Sequence, residues 1–349
     1  MRSSASGTEL QDGTSPVLEA GGESAGGSPT GASPVRVLYI AGTGRSGSTL
    51  VDRILGQLDG FFSAGELRYL WQRGVLDNRL CGCGEPFGEC PTWQAILDRA
   101  AAGPHERDIA DVATRQRARI RLARLPALLT RTGHARRSVC EPDDALLADV
   151  YRSTVEHTSA RVLVDSSKLP SYGYLVSRLP GVELFVLHIV RDPRATAYSW
   201  TRSRALPDFQ DERLMQQQST WKSALLWLVW NTLTELFWGR KKDYVRIRYE
   251  DFVRSPEETI RHVADVVDGP LVRSPFRSPT SVQLGPTHSV AGNPSRHRVG
   301  PVDLQSDLEW VHAMPLRQRM LVTALTWPWL LRYGYPLRPT RSSTPRKEM

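Results

Sequence analysis

The stretch from Val35 to Leu58 limits the choice of fold more than any other part of this chain. Val35-Arg36-Val37-Leu38-Tyr39-Ile40-Ala41 is strongly β-prone, and Thr49 to Leu58 places Leu50, Val51, Ile54, Leu55 and Leu58 on one face of a helix. Between them lies Gly42-Thr43-Gly44-Arg45-Ser46-Gly47-Ser48-Thr49. A Gly-rich turn in that position lets backbone N–H groups converge on an anion, and the helix start adds roughly half a positive charge. Three more apolar or β-prone runs follow: Arg161–Asp165, Leu184–Val190 and Tyr244–Tyr249. Short strands separated by helical segments predict an α/β protein whose parallel sheet is covered by helices on both faces. No internal repeat interrupts the pattern.

Residues 1–34 are rich in Gly, Ser, Ala, Thr and Pro with almost no large apolar side chains, so they are expected to form a disordered tail. The end from Arg338 to Met349 reads as a second flexible tail, leaving 35–337 for one folded domain. The longest apolar stretch, Ala224 to Trp238, is too short for a membrane span and carries Asn231 and Glu235. With no signal-peptide pattern at the N-terminus, a cytoplasmic protein is expected. The formal charge of +8 comes almost entirely from arginine; the lysines are Lys168, Lys222, Lys241, Lys242 and Lys347. That balance favours anionic ligands. No nucleic-acid motif accompanies it, so no nucleic-acid partner is expected. Ala100 to Cys140 is helical in character and carries Arg115, Arg117, Arg119, Arg121 and Arg124, either as a solvated face or as a wall for an anionic substrate. Cys81, Cys83 and Cys90 sit in Cys81-Gly82-Cys83-Gly84-Glu85-Pro86-Phe87-Gly88-Glu89-Cys90-Pro91, which reads first as a structural loop, then as a metal knot and last as a redox site; the spacing is not the paired CxxC of common zinc sites.

The Gly-rich turn has the glycine spacing of the phosphate loop G-x-x-x-x-G-K-[ST], at Gly42 and Gly47, but Ser48 stands where the lysine belongs. That lysine serves a triphosphate. A cation appears inside the loop instead, at Arg45, so the turn suits an anion other than ATP or GTP. Arg45-Ser46-Gly47-Ser48-Thr49-Leu50 resembles the 5′-phosphosulfate loop of sulfotransferases that use 3′-phosphoadenosine-5′-phosphosulfate (PAPS), and is closest in style to their tyrosylprotein and carbohydrate branches. The resemblance implies a three-layer P-loop-type sheet over 35–337 and a donor held by Gly44, Arg45, Ser46, Gly47, Ser48 and Thr49.

A second signature is Leu187-His188-Ile189-Val190-Arg191-Asp192-Pro193, running on to Ser199. Arg191 emerges at the carboxyl edge of a buried strand, where ligands of open α/β sheets bind. Asp192 is suited to cap the next helix and Pro193 to open it. Ser199 follows Arg191 by about two helical turns, and the resemblance assigns both residues to the donor's 3′-phosphate. Gly292-Asn293-Pro294-Ser295-Arg296-His297-Arg298 resembles the family's C-terminal basic loop, which makes Arg296 and Arg298 alternative phosphate ligands. Arg248-Tyr249-Glu250-Asp251-Phe252 is read as structural. His188 is read as a core histidine, and Trp221, Trp227, Trp230 and Trp238 mainly as core.

Sulfuryl transfer needs a proton acceptor and positive charge around the bridging and sulfuryl oxygens. Glu66, 21 residues after Arg45, resembles the catalytic glutamate of the tyrosylprotein branch, with Arg68 holding the acceptor. Arg45, Ser48 and Lys168 are candidates for charge at the bridging oxygen. The catalytic set is therefore Glu66, Arg45 and Lys168, with no catalytic metal and with adenosine 3′,5′-bisphosphate as the donor's product. The acceptor expected is a small-molecule or glycan hydroxyl; a carbohydrate or natural product is favoured, and a peptide tyrosine stays open. Two other readings are a P-loop nucleotide kinase and a catalytically silent PAPS- or phosphate-binding module. Oligomeric state is not legible.

Overall fold

The computed structural model describes residues 33–101, 108–124, 142–203, 205–206, 213–269 and 273–338. All but the last two residues of the expected N-terminal tail lie outside that set, as do the C-terminal tail beyond 338, Pro126 and Cys140. The apolar run at 35–41 forms β1 (Val35–Gly42), and the amphipathic run after it forms α1 (Ser48–Leu55). The chain continues through β2 (Phe61–Gly65), α2 (Pro91–Ala101), α3 (Ile109–Arg119) and α4 (Pro142–Thr158) to β3 (Val162–Lys168). After α5 (Pro170–Val176) come β4 (Val182–Val190) and α6 (Pro193–Thr201). The short pair β5 (Ala205–Leu206) and β6 (Arg213–Leu214), α7 (Thr220–Trp238) and β7 (Tyr244–Arg248) complete the central part.

Five strands pair in the order β2-β3-β1-β4-β7, and every pairing is parallel. β1 is central: β2 and β3 lie on one side of it, β4 and β7 on the other. The chain thus reverses direction across the sheet at β1, and the carboxyl end of such a strand is where open α/β sheets bind ligands. Alternation along β1 feeds two cores. Val37, Tyr39 and Ala41 face a cluster with Leu147 and Tyr151 of α4 and Tyr172 of α5. Leu38 and Ile40 face Val51, Ile54 and Leu55 of α1, together with Phe252 and Ile260. Full burial of each of these aliphatic side chains is worth about 1.5–3 kcal/mol, so one strand ties both helical layers to the sheet.

β1, β3 and β4 end side by side, and β2 stops short of the end of β3. Ala41 pairs with Lys168 on β3 and with His188 on β4, and Gly65 pairs with Asp165. A register shift between Tyr39 and Ala41 takes up extra length in β3, and Lys168 closes that strand with φ +69°. Beyond α8 (Tyr249–Arg254) and α9 (Pro256–Val267), a small antiparallel sheet joins β8 (Phe276–Ser278), β9 (Ser281–Leu284) and β10 (Gly300–Asp303). It carries the basic loop between β9 and β10. Two helices, α10 (Glu309–Ala313) and α11 (Leu316–Arg332), close the described chain. No helix among the described residues is long and apolar enough to cross a membrane.

The tryptophans of α7 divide. Trp227 and Trp238 are buried, Trp230 is half-buried and Trp221 is exposed. His188 is a core histidine: fully buried, it bonds Tyr244 and Asn231 at 2.7 Å each, and burial pushes its pKa down to about 4. The Arg-rich helix α3 behaves as a charged face. Arg115 pairs with Asp143, Arg119 with Asp144, and Arg117 bonds Gln72.

Candidate active site

The turn between β1 and α1 is shaped by Gly47, which caps α1 at φ +89°. A Cβ there would lie 2.4 Å from the Tyr249 ring, so the position needs both the left-handed conformation and the missing side chain. No side chain caps α1 and no acidic residue lies in its first turn, which leaves that helix start suited to an outside anion. Gly44 lies against the Trp200 ring, and Ser46 donates to the Thr43 carbonyl at 2.8 Å. Ser48 is buried in the first turn. Arg45 adopts φ +70°; its guanidinium sits 4.9 Å from the Trp200 ring and contacts the Met215 sulfur.

Arg191 leaves β4 beside this turn. Its Nη1 donates to the Arg45 carbonyl at 2.9 Å, and its Nη2 meets Asp307 at 3.1 Å. The Tyr249 ring lies under its guanidinium at 4.7 Å. Asp192 caps α6 by accepting from the Arg194 amide, and Pro193 opens that helix. Ser199 is buried on α6. The basic loop folds over α1: the Asn293 amide donates to Thr49 Oγ1 at 3.3 Å. Within it Arg296 is buried and donates to the Leu80 carbonyl at 2.7 Å, whereas Arg298 is exposed.

Glu66 follows β2 directly and is 7% exposed. Lys168 lies 2.8 Å from Glu66 Oε1, and Arg68 lies 3.3 Å from Oε2. Lys168 also donates to the Ser166 carbonyl at 2.7 Å. Burial alone would push the Glu66 carboxyl up; the Lys168 ammonium and the Arg68 and Arg73 guanidinia outweigh it and hold the carboxyl at about 2. Burial lowers the Lys168 pKa against the pull of Glu66. The glutamate is therefore ionised and tightly paired in the resting protein, a weak base until that pair is loosened. Arg68 lies over Tyr69 at 4.2 Å and within 6.0 Å of Trp230, so one α7 tryptophan does border this edge.

Several residues here carried no sequence signal of their own. Asp307 comes from the coil before α10 to pair with Arg191. Tyr249, read as structural, lies between Gly47 and Arg191. Arg53 fastens the basic loop to α1 by donating to the carbonyls of Ser295 (2.7 Å), Gly285 (3.2 Å) and Arg298. Asp52 and Asp165 are buried acids behind the site. Burial pushes them up to about 7 and about 6, although Ser63 bonds the first, and Ser167 and Tyr151 bond the second. Asp52 and Arg53 fall on the side of α1 away from Leu50, Val51, Ile54, Leu55 and Leu58, where charged residues are ordinary, so nothing in the sequence marked them as buried.

A search of curated proteins by sequence found no significant match. Among solved structures, the sulfotransferase domain from the curacin biosynthetic pathway is similar at TM-score 0.50 and 17% identity, with 87% of this chain and 99% of that one covered. That likeness concerns the fold. The sulfotransferase domain of the Synechococcus PCC 7002 olefin synthase gives TM-score 0.49 and 20% identity over 88% and 98% of the two chains. Sulfotransferase STF9 from Mycobacterium avium gives 0.44 and 14% over 88% and 79%. The family model described as "Sulfotransferase family" matches residues 38–272, which take in most of β1, the Gly-rich turn after it, the Glu66 and Lys168 edge and Arg191. With two-thirds of its length matched, and both the Gly-rich turn and the Arg191 segment inside the match, this chain belongs to the sulfotransferase family.

Proposed function

We propose that this protein transfers a sulfuryl group from PAPS to an acceptor hydroxyl, and that the α1 helix start and Arg191 hold opposite ends of the donor. The observation that carries this is the 2.9 Å bond from Arg191 to the Arg45 carbonyl, which brings both signature cations to one turn. The fit to an anionic nucleotide rests on the uncapped start of α1 and on cations from three strand ends, at Arg45, Lys168 and Arg191. PAPS, when bound, supplies a sulfuryl group already activated on its 5′-phosphosulfate. Gly44 to Thr49 would hold that end. Arg191 and Ser199 would hold the 3′-phosphate. Of the two loop arginines we assign the phosphate contact to Arg298, because Arg296 is turned inward to Leu80.

We assign the proton acceptor to Glu66 and the charge at the bridging oxygen to Lys168. A carboxylate held near 2 accepts a proton only late, after the acceptor oxygen has become acidic through bonding to sulfur. A loose, in-line transition state has that character. As Lys168 turns toward the donor's oxygens it weakens its pair with Glu66, which strengthens the base at the moment of use. Arg68, beside Trp230, would orient the acceptor. Side-chain cations take the part that magnesium plays for triphosphates, so no metal is assigned to catalysis. The aromatic border of Trp230 and Tyr69 favours a ring-bearing acceptor, carbohydrate or natural product, over a simple alcohol.

The test is a thermal-shift series with adenosine 3′,5′-bisphosphate, ADP, and ATP with magnesium, because stabilisation follows affinity for the folded state. The bisphosphate is expected to stabilise most; a larger shift with ATP and magnesium would favour a nucleotide kinase instead. Transfer of radiolabelled sulfate from PAPS to a panel of glycans and phenols separates an enzyme from a silent binding module.

A further inference from the structure

The Cys81–Cys90 loop is not closed on itself. Its three cysteines converge with His288, which arrives from a segment nearly two hundred residues later, and the four ligand atoms lie within 4.8 Å of one another. We propose that Cys81, Cys83, Cys90 and His288 form a structural Cys₃His zinc site.

The geometry favours an ion over a disulfide. Tetrahedral zinc with Zn–S near 2.3 Å and Zn–N near 2.0–2.1 Å sets its sulfurs about 3.8 Å apart and a sulfur and a nitrogen about 3.6 Å apart. Cys83 and Cys90 Sγ are 3.8 Å apart. His288 Nδ1 is 3.3 Å from Cys90 Sγ and 4.0 Å from Cys81 Sγ. A disulfide needs about 2.05 Å between sulfurs and has no use for a third thiol or an imidazole. The imidazole is also oriented from behind, as metal-bound histidines usually are. Its Nε2 faces Thr92 Oγ1 at 3.3 Å, its ring stacks on Phe62, and its carbonyl accepts from Trp93 at 2.6 Å.

The loop is built to present these ligands. Gly84, at φ +100°, makes the turn that bonds its amide to the Cys81 carbonyl. Gly82 presses onto the histidine's segment, where a Cβ would lie 2.5 Å from Ser289 Oγ. Cys81 and Cys90 are buried and Cys83 and His288 partly so, which shields an ion while leaving it a route in. On binding Zn²⁺ the three thiols would each release a proton, giving three thiolates, one neutral imidazole and a net site charge of −1.

The site would clamp the catalytic edge from behind. The residue after Ser289, Val290, donates its amide to the Ala64 carbonyl, two residues before Glu66. The Gly82 amide donates to Ser289, and the Leu80 carbonyl accepts from Arg296 of the basic loop. One ion would thus brace both the Glu66 turn and the loop over α1. The inference does not depend on the donor or acceptor proposed above, and its readout is metal content.

Elemental analysis and native mass spectrometry of the full chain, expressed with zinc supplied, are expected to give about one zinc per chain, retained through dialysis. Cobalt exchanged into the site should show the visible absorption of a tetrahedral thiolate complex. Cys83→Ser is expected to drop zinc content several-fold and lower the melting temperature. His288→Cys, which keeps four ligands, should retain the metal and so separates ligand loss from misfolding. Absence of bound zinc in the folded chain, a Cys83–Cys90 disulfide in its intact mass, or unchanged zinc in Cys83→Ser would each overturn the proposal.

Discussion

The turn after β1 and the edge formed by β2 and β3 both gather cations, but they hold them in opposite ways. At the turn, Arg45 contacts an aromatic ring and a thioether, and Arg191 meets a backbone carbonyl and the partly exposed carboxylate of Asp307. Water or a ligand phosphate can compete for contacts of that kind. At the other edge, Lys168 and Arg68 close on Glu66, and all three side chains are at most 14% exposed. Charges removed from water this far stand only while they are paired. The first region therefore suits the donor binding proposed above, and the second the guarded base proposed there.

The largest effects should come from the guarded edge. Lys168→Ala leaves Glu66 short of its closest partner, and breaking a buried pair costs about 3–5 kcal/mol; denaturant unfolding checks this. Glu66→Gln is expected to lower kcat by about 10²–10⁴-fold, the usual worth of a general base, with the thermal shift by the bisphosphate unchanged. Full transfer by Glu66→Gln would leave this edge a structural pair and erase the contrast with the turn.

At the binding turn the expected effects are smaller and fall on affinity. Arg191→Ala should lose about 10- to 100-fold in the preference for adenosine 3′,5′-bisphosphate over adenosine 5′-monophosphate, the worth of a hydrogen bond to a charged group. Calorimetric titration of both ligands measures it, and an unchanged preference would remove Arg191 from the 3′-phosphate. Asp307→Asn sharpens the comparison in the other direction: with its carboxylate gone from Arg191, bisphosphate affinity should rise by about 2- to 5-fold, in the range of a partly exposed ion pair. Gly47→Ala tests the turn's backbone. Strain of about 1–3 kcal/mol is expected from φ +89° alone, so Tyr249→Leu should relieve the contact without restoring the melting temperature.

The last test of the comparison is a pH dependence. Asp52 and Asp165 have folded pKa values of about 7 and about 6, above the usual carboxylate value near 3.9. Their contribution to stability is complete below about pH 4 and is lost as pH rises through 6 to 7. Glu66 has the opposite sign: its contribution is present above its unfolded value near 4.3 and fades as pH falls toward 2. Asp52→Asn should therefore flatten the decline in melting temperature between pH 4 and 7 and leave the acid limb unchanged.

The binding turn was legible because its parts are neighbours in sequence. Strand, glycines, Arg45 and helix follow one another within two dozen residues, and Arg191 announces itself at the end of an apolar run. At the guarded edge the candidates Glu66, Arg68 and Lys168 were readable as residues, but nothing about them showed that they form one cluster. No local rule relates Glu66 to Lys168. They meet because β2 pairs with β3 and Lys168 closes β3 in a left-handed conformation. The pairing also changes the chemistry, since the neighbouring cations hold the Glu66 carboxyl near 2. The cysteine loop shows the same limit, because its spacing matched no common zinc pattern while its fourth ligand, His288, lay far along the chain.

By itself the sequence determined the parallel α/β sheet, the Gly-rich turn at β1 and the cationic strand end at Arg191. These rest on hydrophobic periodicity, glycine placement and helix polarity, which act over a few residues. Only the tertiary structure decided that Glu66 and Lys168 share a buried pair, that Asp307 faces Arg191, that Arg296 turns inward while Arg298 stays at the surface, and that His288 joins the cysteines. Those outcomes depend on strand register and loop packing between distant segments, where burial and charge become properties of the assembled neighbourhood and not of any stretch of chain.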